Sequence, residues 1–105
     1  MSTHVLDTER GRPAVGVQVT LYRLDLGSAP LRMTQALTDD DGRVRDLLER
    51  PLTSGLYRLQ FDLTGEDGRS FFSRISIDVR IEDTSRSYHV PLLLAPYAVT
   101  TYRGS

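Results

Sequence analysis

The sequence predicts an all-β protein, a two-sheet antiparallel β-sandwich of about eight strands. Three features carry the expectation: apolar residues recur at every second position over several segments, Asp- and Gly-rich turn sequences separate those segments, and helical spacing is nearly absent. The chain of 105 residues suits one domain spanning residues 1–105, with enough Leu, Ile, Val and Phe to bury a core.

Taken in order, residues 3–7 are a candidate first strand. Val15, Val17, Val19 and Leu21 alternate with Gly16, Gln18, Thr20 and Tyr22, so residues 15–22 read as a strand with one buried face. Residues 32–37 follow. Asp39, Asp40, Asp41 and Gly42 supply a hairpin turn in which Gly42 takes the left-handed position, and residues 43–46 continue from it. Leu47, Leu48 and Leu52 offer at most one helical turn before Ser54 and Gly55. Leu59, Phe61 and Leu63 carry on from Tyr57 with Arg58, Gln60 and Asp62 between them, and Gly65 to Gly68 form the next turn. The longest alternation places Phe71, Ile75, Ile77, Val79 and Ile81 on odd positions against Arg74, Ser76, Asp78, Arg80 and Glu82. Residues 87–95 and 97–103 complete the set, with Pro91 and Pro96 pointing to edge or irregular positions. So small a sandwich leaves little room for a deep internal pocket, and an active site is expected on a surface or between subunits.

Composition removes several chemistries. The chain has no Cys, Lys, Asn or Trp, so a thiol nucleophile, a disulfide, a thiolate zinc site, a Schiff base and N-glycosylation are all excluded. Thirteen basic residues, every one an arginine, face fourteen acidic ones without forming a block of either sign. That balance argues against nucleic acid or an anionic membrane surface as a partner. Residues 87–102, the longest uncharged stretch, are too polar and proline-broken to span a bilayer, and no cationic start leads into an apolar run, so a cytoplasmic location is expected.

The reacting groups must therefore come from His, Arg, Asp, Glu, Ser, Thr or Tyr. Of the two histidines, His4 and His89, each falls in a candidate strand, where a lone histidine is more often a hydrogen-bonded structural residue. Neither stands in metal-ligand spacing, so no metal is expected. Arg43 directly follows the Asp41-Gly42 turn, from where its planar fork could clamp an anionic or carbonyl-rich ligand; alone, it reads more readily as a solvated charge beside the aspartates. Phosphate-loop, serine-elbow and zinc-protease motifs are absent. Two histidines, an arginine and a Tyr/Ser tail suit general-base activation of water with stabilisation of an oxyanion.

Four blocks of residues then carry a resemblance. Ser2-Thr3-His4-Val5-Leu6-Asp7 with Gly11-Arg12-Pro13-Ala14, Thr38 to Gly42 with Arg43, Tyr88-His89-Val90-Pro91-Leu92-Leu93-Leu94, and the terminal Tyr102-Arg103-Gly104-Ser105 together resemble the 5-hydroxyisourate hydrolases, the enzyme branch of the transthyretin family. The resemblance implies a transthyretin-like sandwich assembled as a homotetramer, a dimer of dimers with its active sites at the dimer–dimer interface. It implies hydrolysis of the six-membered ring of 5-hydroxyisourate to 2-oxo-4-hydroxy-4-carboxy-5-ureidoimidazoline, in urate degradation toward allantoin, without a cofactor. Carried over residue by residue, it makes His4, Arg43, His89 and Ser105 catalytic and gives His4, Arg43 and Tyr102 substrate contacts. Either histidine could be the base.

The non-catalytic branch binds thyroid hormone and is understood to lack this set, so the alternative reading is a carrier of a purine-like or aromatic ligand. A scaffold domain would leave the terminal motif unexplained. Departures from the hydrolase pattern are Ser87, Ala95 and the pair Ala98-Val99, and residues 64–70 are short enough that the family's small helix is expected to be reduced to a turn or absent.

Overall fold

Alternation becomes sidedness in the computed structural model, which describes residues 1–48, 51–64 and 70–104. The strands are β1 (Ser2–Asp7), β2 (Arg12–Pro13), β3 (Gln18–Arg23), β4 (Leu31–Leu37), β5 (Arg43–Val44), β6 (Gly55–Asp62), β7 (Arg74–Ile81), β8 (His89–Ala95) and β9 (Ala98–Thr101). They form two sheets. One runs β2-β1-β8-β9, with β5 also paired to β1, and the other runs β4-β3-β6-β7. Among the described residues no helix forms, and so none is long and apolar enough to cross a membrane.

The core lies where the inward positions of the two sheets meet. Val5 of β1, Val44 of β5, and Val90, Leu92 and Leu94 of β8 face Val19 and Leu21 of β3 and Tyr57, Leu59 and Phe61 of β6, all of them buried. Each such side chain removed from water is worth about 1.5–3 kcal/mol, which is what holds two twisted sheets together. Strand β7 keeps its alternation, yet only Ile81 is fully buried, because β7 is an edge strand whose inward face is partly uncovered. Polar groups drawn inward are paired: the Thr38 hydroxyl donates to the Ala14 carbonyl at 2.7 Å and accepts from the Val17 N–H at 2.9 Å. Arg23, also buried, donates to Asp25, Thr53, the Tyr57 hydroxyl and the Ser54 carbonyl.

Several expectations are corrected. The strand expected from Val15 begins only at Gln18, because Gly16 turns the chain at a φ of 76° and leaves Val15 54% exposed. Likewise β7 begins at Arg74, and Phe71, 73% exposed, stands outside it with its ring edge-on to Phe72. The strand expected over residues 43–46 is only two residues long, and the small β2 was not anticipated. Antiparallel pairing holds except between β1 and β8, which run parallel from Ser2↔His89 to Asp7↔Leu94. Pro91 is not at an edge. It sits in the interior strand β8, one residue before the β8–β9 ladder begins at Leu92, and its carbonyl accepts the Thr101 hydroxyl at 2.8 Å. Pro96 does mark the irregular turn between β8 and β9. The Gly65–Gly68 turn and most of the segment of the reduced helix lie outside the described residues.

The turn of Asp39 to Gly42 also differs from a hairpin within one sheet. It carries the chain from β4 in one sheet to β5 in the other. One Asp39 carboxylate oxygen accepts the N–H groups of Asp41 and Arg43, at 2.8 and 3.0 Å, and the Gly42 N–H bonds back to the Asp39 carbonyl at 2.9 Å. Gly42 has a φ of 73°, and a Cβ there would press on the Val5 carbonyl and come 2.8 Å from Pro13 Cβ. Only glycine lets this turn seat against β1.

Candidate active site

Thr3 and Val5 point into the core, so the residues between and beside them, Ser2, His4 and Leu6, emerge on the outer face of the first sheet. By the same parity Val90, Leu92 and Leu94 of β8 turn His89 and Leu93 outward, and buried Val44 turns Arg43 outward. Register then does the assembling. His4 is directly opposite Arg43 across the β1–β5 pair, and His89 is level with Ser2 across the parallel β1–β8 pair. His4 and His89 therefore stand as diagonal neighbours, a spacing of about 7–8 Å in a sheet. The structure thus brings His4, Arg43 and His89, all half-buried, to one patch of one face.

His89 is the most constrained of the three. Its Nδ1 lies 2.8 Å from the Ser2 hydroxyl, and its carbonyl accepts the Gly104 N–H at 2.7 Å. Burial pushes its pKa below the ordinary histidine value, and the charge of Arg43 and the proximity of the second imidazole push it further down, against an upward pull from a Ser2 backbone hydrogen bond. The lowered pKa favours the neutral imidazole, the form that can take a proton from water.

The acidic turn before Arg43 forms its ion pairs with Arg45 rather than with Arg43. Arg45 approaches both Asp41, at 3.3 Å, and Asp39, at 4.0 Å. The backbone N–H of Arg43, then that of Asp41, hold the Asp39 carboxyl below the usual carboxylate range. Among the described residues no carboxylate forms an ion pair with the Arg43 guanidinium. The outer face of the other sheet is different in kind: there Arg58 and Asp78 neutralise each other in a two-pronged pair at 2.6 and 3.0 Å. A cation left open beside two imidazoles favours an anion or a developing oxyanion.

The family model described as HIUase/Transthyretin family matches residues 1–104. The chain belongs to that family. It is 39% identical over 115 residues to a 5-hydroxyisourate hydrolase of Halalkalibacterium halodurans, a match covering 100% of this chain and 97% of the relative. The solved 5-hydroxyisourate hydrolase of Klebsiella pneumoniae is 36% identical with a TM-score of 0.85, covering 99% of this chain and 96% of that one. Sea bream transthyretin in complex with thyroxine superimposes with a TM-score of 0.88 at 23% identity, over 98% of this chain and 92% of that one, a likeness of fold alone.

In this HIUase/Transthyretin family chain the remaining expected site residues belong to the tail that follows β9. Tyr102, 55% exposed, lies between Thr101, which pairs with Leu92, and Gly104, which bridges to His89, and it helps line a cleft of about 380 Å³ with Ile77 and Val79 of β7, Arg86 and Tyr88. Ser105 lies outside the described residues, although the Gly104 bridge brings the preceding residue against His89. The departures from the hydrolase pattern cluster mostly at the far end of β8. Ala95 pairs with Ala98 and Leu94 with Val99 there, whereas His89 opens the strand at the other end; Ser87 is the one departure near it. Among the described residues no three acidic or histidine side chains gather as metal ligands would. In the sequence Ser2 and Gly104 stand out only as parts of motifs. Ser2 shares the face of His4 by parity, which is a readable signal; contact of either residue with His89 depends on pairings over more than eighty residues for Ser2 and on the bridge for Gly104.

Proposed function

We propose that this chain hydrolyses 5-hydroxyisourate to 2-oxo-4-hydroxy-4-carboxy-5-ureidoimidazoline, acting on a cyclic amide C–N bond in urate degradation. The observation that carries the reading is the convergence of His4, Arg43 and His89 on one outer face, with the Arg43 guanidinium in no ion pair among the described residues. Relatives that match the whole chain carry the name of that hydrolase.

In the proposed reaction a neutral imidazole, His89 or His4, takes a proton from water as its oxygen attacks the ring carbonyl. Arg43 donates to the carbonyl oxygen as negative charge develops there. Collapse of the tetrahedral adduct breaks the C–N bond, and the imidazolium returns the proton to the departing ring nitrogen. The elements of water are thereby divided between a new carboxyl and a new N–H. Tyr102 and Ser105 orient substrate or water. His4 and Arg43 also bind the substrate, and no cofactor takes part.

The open placement of the patch favours a homotetramer, a dimer of dimers in which a second copy closes the outer face and excludes water. Light scattering is expected to report about four times the 11.8 kDa chain mass. A fully active monomer would contradict the interface site.

Turnover is tested by generating 5-hydroxyisourate in situ from urate and following its disappearance. The protein is expected to accelerate the decay, and the acceleration to fall on the acid side with an inflection below the ordinary histidine value of about 6.5, since the pKa of His89 is lowered and the base stays neutral further into acid. Decay at the spontaneous rate, even if ligand binds, would replace this reading with that of a carrier; a flat profile would remove the histidine base.

A further inference from the structure

The hydrolase reading leaves open how a half-exposed histidine at the start of a strand is kept in one orientation and one protonation pattern. A free imidazole rotates about χ2 and, when neutral, exchanges its proton between two nitrogens; in water it prefers the proton on Nε2. General-base work needs the opposite nitrogen arrangement at whichever nitrogen faces the water.

Two contacts bear on this from opposite sides of the His89 ring. Ser2 places its hydroxyl oxygen 2.8 Å from Nδ1, across the parallel register that sets Ser2 level with His89. Gly104 lies on the other side. A Cβ built there would fall 2.7 Å from His89 Cδ2, closer than real Cβ atoms come, and 3.2 Å from its Cβ and Cγ, tighter than most. Gly104 does not need its freedom for conformation, because its φ is not in the left-handed region. It is small because the ring lies against it, while its N–H on the His89 carbonyl fixes the separation of the two chains. With Nδ1 turned to Ser2 and Cδ2 turned to Gly104, the ring atoms left for a ligand are Nε2 and Cε1.

We infer that Ser2 and Gly104 are positioning residues for His89: the Ser2 hydroxyl accepts the proton of Nδ1 and Gly104 backs the ring, so that Nε2 presents its lone pair to the outer face. A serine hydroxyl can accept from an Nδ1–H or donate to a bare Nδ1, and the first arrangement is the one that leaves the lone pair on Nε2, the nitrogen that neither Ser2 nor Gly104 covers. Neither residue touches the reacting atoms; both act through His89. The inference rests on the hydrolase reading for its purpose, but its geometry can be measured without substrate.

The test is nitrogen NMR of the histidine rings in the uniformly labelled full chain, above the His89 titration, run beside steady-state kinetics on wild type, Ser2→Ala, Ser2→Thr and Gly104→Ala. In wild type, neutral His89 is expected to carry its proton on Nδ1 and an unprotonated Nε2. Ser2→Ala moves the proton toward Nε2 and lowers kcat by about three- to tenfold with KM little changed, the scale of one net hydrogen bond, and Ser2→Thr restores both. Gly104→Ala shifts the His89 ring signals and lowers kcat while the thermal melt stays near that of wild type. Wild-type His89 protonated on Nε2, or a Ser2→Ala variant with unchanged ring signals and kcat, overturns the role of Ser2. Unchanged His89 signals and full turnover in Gly104→Ala overturn that of Gly104. Should the ring signals behave as stated while the wild type fails to accelerate 5-hydroxyisourate decay, the hydrolase reading alone is overturned.

Discussion

His89→Asn is expected to lower kcat/KM for 5-hydroxyisourate by about 10²- to 10⁴-fold, the range a positioned general base contributes. Asparagine keeps a polar group near Ser2, so the hydrogen bond to the Ser2 hydroxyl has a replacement and the loss falls on chemistry rather than on folding. His89 is half-buried on an outward position of β8, and its inward neighbours Val90 and Leu92, which carry the packing, are untouched. The thermal melt should accordingly move little. Stopped-flow decay of in-situ substrate measures the first quantity and calorimetry the second. Turnover within a few-fold of wild type would assign the base to His4.

Arg43→Lys is expected to cost nearly as much, about 10²- to 10³-fold in kcat, the effect of removing one preorganised oxyanion donor. Charge is conserved in this variant, so what is lost is the planar fork that can hold two oxygens at once. The backbone that aims the side chain is retained, because Asp39 grips the Arg43 N–H and not its guanidinium. Arg58→Lys is the comparison. Its guanidinium is spent on Asp78 on the outer face of the opposite sheet, and its replacement should leave turnover unchanged. Near-normal turnover in Arg43→Lys would reduce the role of this position to charge alone.

Much of the sandwich is legible in the sequence because a strand with one buried face must alternate. Val19 and Leu21, Leu59 and Phe61, and Ile75 through Ile81 announce their strands and their inward sides. The misreadings at Val15 and Phe71 share a cause. Apolar alternation continues past the point where the backbone has already turned, at Gly16 in one case and before Arg74 in the other, and period alone does not register a turn. The parallel pairing of β1 with β8 has no local signal at all, since the residues that meet are more than eighty positions apart. The site follows the same division. That His4, Arg43 and His89 belong together was legible only from the motifs that carry the family resemblance, whereas their placement on one face is a product of the β1–β5 and β1–β8 registers.

Whether His4, Arg43 and His89 act as one site is tested most directly by measuring kcat/KM for His89→Asn, Arg43→Lys and the double variant in the same in-situ assay. Groups that serve one transition state are strongly non-additive, so the double variant is expected to be little worse than the poorer single variant. Full additivity of the two losses in free energy, or a double variant that retains wild-type turnover, would contradict a shared active site on the outer face of the first sheet.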